Sequence, residues 1–127
     1  MNPPAAPDLA ALRHDLRTPV NHILGYCELL ADEAAARGWA GLRAGRRRIE
    51  DGARQVLALV NYYFGTSRPG LPDALRRHVQ HEIRTPVNHI MGYADILREA
   101  PELAAEEAAL RDLVRIREAA LDVLQRL

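Results

Sequence analysis

The chain has 127 residues, and its 17 basic and 17 acidic residues give a formal net charge of zero at pH 7. Zero net charge argues against a general binder of nucleic acids or membrane surfaces, and the single cysteine rules out an internal disulfide. The length fits one compact domain rather than two independent ones.

The first ten residues, MNPPAAPDLA, contain no basic region followed by an apolar stretch, so we expect no signal peptide. Further along, charged residues interrupt every apolar run before it reaches the roughly 18 residues of a membrane span. These two observations predict a cytoplasmic protein without a membrane-inserted segment.

The first half of the chain predicts two helices separated by the break ARGWAG, where Gly38 ends the first one. Apolar residues of the first helix recur every three or four positions, which predicts one buried stripe. These residues are Leu12, Leu16, Val20, Ile23, Cys27 and Leu30. The second helix covers about residues 41–64, and its arginines at 46–48 are interpreted as a solvated face. Gly45 and Gly52 each cost this helix about 1 kcal/mol relative to alanine, so we expect it to be the most mobile.

The second half of the chain repeats the first after a linker at 65–73. HDLRTPVNHILGY at 14–26 returns as HEIRTPVNHIMGY at 81–93, with ten of the thirteen positions identical. We therefore predict an all-α fold made of two tandem helical hairpins, residues 1–67 and 68–127. Short links between long helices favour antiparallel neighbours, so the hairpins should form one four-helix bundle, an intramolecular pseudo-dimer.

The repeated segment displays a histidine on the outer face of each first helix. On a helical wheel His14 points almost directly away from the apolar stripe, and Thr18 and Asn21 lie within about 40° of it. The same geometry applies to His81, Thr85 and Asn88.

An exposed imidazole with these neighbours suits nucleophilic chemistry. The adjacent carboxylate of Asp15 or Glu82 can keep one ring nitrogen protonated, which leaves the other nitrogen as a lone-pair nucleophile. The nearby Arg17 or Arg84 can offset the charge of an incoming phosphoryl group.

Each of these helices also contains a proline near its middle. Pro19 and Pro86 lack the N–H that would bond the carbonyl four residues earlier, which costs about 3 kcal/mol in a helix interior. The repeated penalty predicts a bend at the same place in both helices, either used in signalling or simply inherited as architecture.

The pattern H-[DE]-x-R-T-P-x-N-x-I-x-G-Y resembles the H-box of the dimerisation and phosphoacceptor domain of bacterial sensor histidine kinases. In that family two helical hairpins form a four-helix bundle, and the histidine passes a phosphoryl group from ATP to an aspartate of a response-regulator receiver. The resemblance implies that His14 and His81 are phosphoacceptors and that Asp15 and Glu82 are their acid–base neighbours. It also implies that Thr18 and Thr85 help to orient water in the reverse, phosphatase reaction.

Besides carrying two hairpins in tandem, the sequence departs from the family in two respects. It contains no glycine-rich ATP lid and no asparagine box, so we expect no kinase activity from this chain alone. Each copy has a histidine, His22 or His89, where the family usually has a small residue. Packing or hydrogen bonding at the helix flank is the favoured interpretation of these two, and no metal or cofactor site is predicted.

Two functions from different classes remain open. The first is a phosphorelay intermediate, with a response-regulator receiver, a separate histidine kinase catalytic domain or both as partners. The second is a non-catalytic dimerisation or coupling module that transmits helix motion to a fused output domain. An exchange of hairpins between two chains would use the same apolar stripes.

Overall fold

The computed structural model describes residues 9–65 and 72–127, and within these ranges it is built from helices and contains no strand. The four helices are α1 (Leu9–Arg37), α2 (Ala40–Phe64), α3 (Asp73–Arg98) and α4 (Glu107–Arg126), with a short 3-10 helix at Pro101–Leu103 before α4. The predicted all-α fold is confirmed. The fourth helix begins later than the expected residue 102, because the 3-10 helix intervenes.

The helices form a closed ring in which each one packs against two neighbours. The packed pairs are α1 with α2, α2 with α3, α3 with α4, and α4 with α1. Because the ring closes in this order, α1 and α3 occupy diagonal corners. This arrangement confirms the four-helix bundle, and it sets α1 beside α4 and α3 beside α2 along two opposite grooves.

The centre of the bundle is aliphatic, and none of the described polar or charged residues is buried. Five of the six stripe residues predicted on α1 are buried, whereas Leu12 is only partly buried. On α3 the same stripe in the second copy is buried together with Pro86, and its residues are Val79, Ile83, Val87, Ile90, Ala94 and Leu97. Apolar burial on this scale is the main stabilising term of such a fold. Over the ranges that the structure describes, no helix is both long and apolar enough to span a bilayer.

Gly45 and Gly52 lie where α2 packs against α3. A Cβ atom on Gly45 would lie 2.6 Å from Leu97 Cδ2, and one on Gly52 would lie 2.8 Å from Ile90 Cγ1. The glycines therefore make room for α3 side chains, a packing reason that helix propensity alone does not reveal. Whether α2 is the most mobile helix stays a prediction.

Arg46 is not part of a solvated face, contrary to expectation. Its side chain is only 17% exposed and forms an ion pair with Glu50 on the next turn. Glu50 also accepts hydrogen bonds from Arg54, while Arg47 and Arg48 are exposed. The reason is that Arg46 occupies an inward-facing position of α2, where the carboxylate of Glu50 neutralises it.

Candidate functional site

The structure places both repeated histidines at the bundle surface. His14 and His81 are exposed on α1 and α3, which agrees with the helical-wheel prediction. The other candidate residues that are exposed are Asp15, Arg17, Thr18 and Asn21 on α1, and Arg84, Thr85 and Asn88 on α3. Glu82 is the exception, because it is partly buried.

The threonine of each copy is tied to the histidine that precedes it by one turn. Thr18 Oγ1 donates a hydrogen bond to the His14 carbonyl oxygen at 3.0 Å, and Thr85 Oγ1 donates to the His81 carbonyl at 3.3 Å. Residues four apart are neighbours on one helix face, so this bond follows from their spacing. Each hydroxyl oxygen keeps lone pairs with which it can accept a hydrogen bond from water.

His14 lines a groove between α1 and α4 with a volume of about 380 Å³. The lining residues are His14, Asp15, Thr18, Pro19 and His22 from α1, and Asp122 and Arg126 from α4. Arg126 Nε donates to Asp122 Oδ2 at 3.1 Å, which leaves other guanidinium N–H groups able to contact an anion. The groove thus combines imidazoles with a cation contributed by the far half of the chain.

The surroundings of His81 are different, because Glu82 points towards α2. Tyr63 on α2 donates its hydroxyl to Glu82 Oε2 at 2.8 Å, and His78 Nε2 lies 3.0 Å from Glu82 Oε1. The hydrogen bond to Glu82 raises the pKa of Tyr63, and Tyr62 packs edge-on against the Tyr63 ring at 5.0 Å. Both carboxylate oxygens of Glu82 are therefore engaged.

The two copies share their helix motif but not their neighbours. At the α2 positions that match Asp122 and Arg126, the sequence has Gln55 and Leu59. At the α1 position that matches His78 it has Ala11. Because the His14 groove includes residues of α4 and Glu82 accepts a hydrogen bond from Tyr63 of α2, each site takes residues from both halves of the chain.

Sequence reasoning missed the roles of Tyr63, His78 and Arg126. In the stretch NYYF at 61–64, only Phe64 is buried, Tyr63 is partly buried, and Tyr62 is 70% exposed. The spacing does indicate on which side of α2 Tyr63 lies, because Tyr63 is one turn beyond Leu59 on the side that carries Gly52. Using it required knowing that α3 packs there.

The remaining candidates for chemistry are Cys27, His89 and His22, of which His22 also lines the His14 groove. Cys27 is 1% exposed, and burial is the main reason that its thiol pKa rises to about 12, with the charge of Glu50 adding to the effect. His22 and His89 are both exposed. Within the described residues, no group of three or more histidine, cysteine or acidic side chains is arranged to hold a metal ion.

Comparison with protein families gives one match. Residues 9–70 match the family described as His Kinase A (phospho-acceptor) domain. The match includes His14 and its neighbours and ends before the second copy of the motif. A comparison with curated proteins gave no match, and neither did a comparison with solved structures. The family match supports a phosphoacceptor role in two-component signalling.

Proposed function

We propose, from the phosphoacceptor-domain match over residues 9–70, that this chain is a histidine phosphotransfer module of a phosphorelay. It takes a phosphoryl group from a separate histidine kinase or from a receiver aspartate and hands it to a response-regulator receiver. The observation that carries the proposal is the exposure of His14 on α1, with Thr18 fixed beside it and Arg126 in the same groove.

Phosphoryl transfer requires little from the protein beyond positioning and charge compensation. The lone pair of one imidazole nitrogen forms the new N–P bond while the O–P bond of the donor breaks. The leaving ADP or aspartate carboxylate keeps the electron pair of that bond. The other ring nitrogen retains its proton, and a carboxylate such as Asp15 offsets the positive charge of the imidazolium that forms.

The shape of the surface favours a macromolecular partner. His14 lies on the outside of a bundle in an open groove rather than in an enclosed cavity. Such a site lets a receiver domain bring its own aspartate and metal ion to the histidine. Outer-face residues that would meet the partner are Arg17 and Asn21, and in the second copy Arg84 and Asn88.

The second copy of the motif extends the proposal to His81. We interpret residues 1–67 and 68–127 as two hairpins of the same kind, each with one phosphoacceptor histidine. Thr85 would orient water as Thr18 does, because its hydroxyl is held by the same backbone bond. A cytoplasmic location fits this role and stays a prediction.

A phosphotransfer assay tests the proposed function. The protein is incubated with a ³²P-labelled phosphorylated receiver or an active kinase, and we expect label that is lost in acid and stable in alkali. The label should disappear in the double variant His14→Ala plus His81→Ala. It should persist in His89→Ala, which removes another exposed histidine from α3.

The alternative function predicts a different result. A non-catalytic coupling module would take no label from any kinase or receiver that binds it. Label that survives loss of both His14 and His81 would contradict the assignment of these two residues.

A further inference from the structure

We propose that Tyr63 and His78 hold Glu82 away from His81, so that His81 is a slower phosphoacceptor than His14. This inference rests on the proposed function. It makes Tyr63, which belongs to the first half of the chain, a positioning residue for the site in the second half.

The contacts of Glu82 are the first observation. Tyr63 engages Oε2 at 2.8 Å from α2, and His78 engages Oε1 at 3.0 Å from the preceding turn of α3. Adjacent residues of a helix point about 100° apart, so Glu82 must swing out of the α2–α3 groove to approach the His81 ring. The Tyr63 hydrogen bond on one oxygen and the His78 contact on the other oppose that movement.

The first copy provides the contrast. The Asp15 carboxylate is exposed and forms no hydrogen bond or ion pair with the side chain of any residue that the structure describes. Ala11, at the position matching His78, carries no imidazole that could engage a carboxylate. The Asp15 carboxylate can therefore turn towards the His14 imidazole.

The expected consequence concerns the charge that develops during transfer. When the N–P bond forms, the imidazole becomes an imidazolium, and a neighbouring carboxylate stabilises it. Asp15 can supply this stabilisation at His14, whereas the charge of Glu82 is already directed to Tyr63 and His78. A partner that displaces Tyr63 from the α2–α3 groove would release Glu82 and activate His81.

A small-molecule donor tests the inference without a partner protein. Phosphoramidate transfers its phosphoryl group as its N–P bond breaks, ammonia leaves with the electron pair, and a new N–P bond forms at the imidazole. Each histidine is followed alone, His14 in a His81→Ala background and His81 in a His14→Ala background. We expect His14 to be labelled about 10-fold faster, which corresponds to about 1.4 kcal/mol of additional transition-state stabilisation.

The decisive variant is Tyr63→Phe combined with His78→Ala. It should raise the rate at His81 towards that of His14 and leave the rate at His14 unchanged. Adding Glu82→Gln should abolish the gain, which a merely structural effect would not do. Tyr62→Phe is the matched control, because Tyr62 neighbours Tyr63 and has no bond to Glu82. Circular dichroism verifies that each variant is folded.

The outcomes separate the inference from the proposed function. If both histidines are labelled and the Tyr63 and His78 substitutions leave the His81 rate unchanged, the inference is wrong and the proposed function stands. If neither phosphoramidate nor a phosphorylated receiver labels the protein, the proposed function fails. In that case the ¹⁵N NMR chemical shifts of the His81 ring decide the inference. They should change in the Tyr63→Phe plus His78→Ala variant and return when Glu82→Gln is added. Unchanged chemical shifts would overturn the inference.

Discussion

Arg126 on α4 lies in the same groove as His14 on α1, although the two residues belong to opposite ends of the sequence. The packing of α4 against α1 brings them together. On α2, which packs against the helix of His81, the position matching Arg126 is held by Leu59. A guanidinium can bind a phosphoryl group through charge-assisted hydrogen bonds, and a leucine cannot.

We predict that Arg126→Leu slows phosphorylation of His14 by about 10-fold, because one hydrogen bond to a charged group contributes roughly 1.5–3 kcal/mol. The reciprocal change Leu59→Arg should accelerate labelling of His81. The measurement is the rate of label incorporation at each histidine in the single-histidine backgrounds.

The control for this pair is Arg115→Leu, which removes an exposed arginine from another part of α4. An equal loss of His14 labelling in Arg115→Leu would mean that net charge, rather than the position of Arg126, sets the rate.

We predict that Gly52→Ala destabilises the bundle by about 1–3 kcal/mol, the usual effect of overpacking a core. The added Cβ would meet Ile90 Cγ1 at 2.8 Å and the Pro86 carbonyl oxygen at 3.4 Å. This loss outweighs the gain of about 1 kcal/mol in helix propensity. Gly25→Ala is the matched control, because no atom lies within 4 Å of its added Cβ. Urea unfolding should show Gly25→Ala more stable than the parent protein and Gly52→Ala less stable.

We predict that Cys27 resists alkylation in the folded protein. Burial raises its pKa from 9.0 to about 12, so almost no thiolate exists at pH 8. Iodoacetamide followed by mass spectrometry should show modification only after unfolding in urea. Because the folded pKa is the higher one, the neutral thiol contributes stability below pH 9 that is lost as the pH rises towards about 12. Rapid modification of the native protein at pH 8 would contradict the buried position.

Periodicity was sufficient to predict the inner and outer faces of α1 and α3. The spacing of Leu16, Val20 and Ile23 identifies the buried stripe, and the same wheel puts His14 on the far side. These relationships lie within one helix, and a helix has fixed geometry. The family resemblance in the first copy was likewise visible in contiguous residues, because the motif is local.

Relationships between helices were not predictable in the same way. The bond from Tyr63 to Glu82 depends on which groove α2 forms with α3, and a single helical wheel contains no information about that. Gly52 illustrates the same limit. Its sequence position suggests a weak helix, whereas its role is set by the Ile90 side chain on the opposite helix. The partial burial of Arg46 also depends on the packing of neighbouring helices.

The closed order of the helices has a consequence for how the two sites can diverge. A bundle assembled from two identical chains must carry every substitution twice, so its two surfaces remain copies of each other. Here α2 and α4 are encoded separately: residues of α4 line the groove beside His14, and Tyr63 of α2 contacts Glu82 beside His81. One amino-acid change can therefore alter the chemistry beside one histidine while the other histidine keeps its original environment.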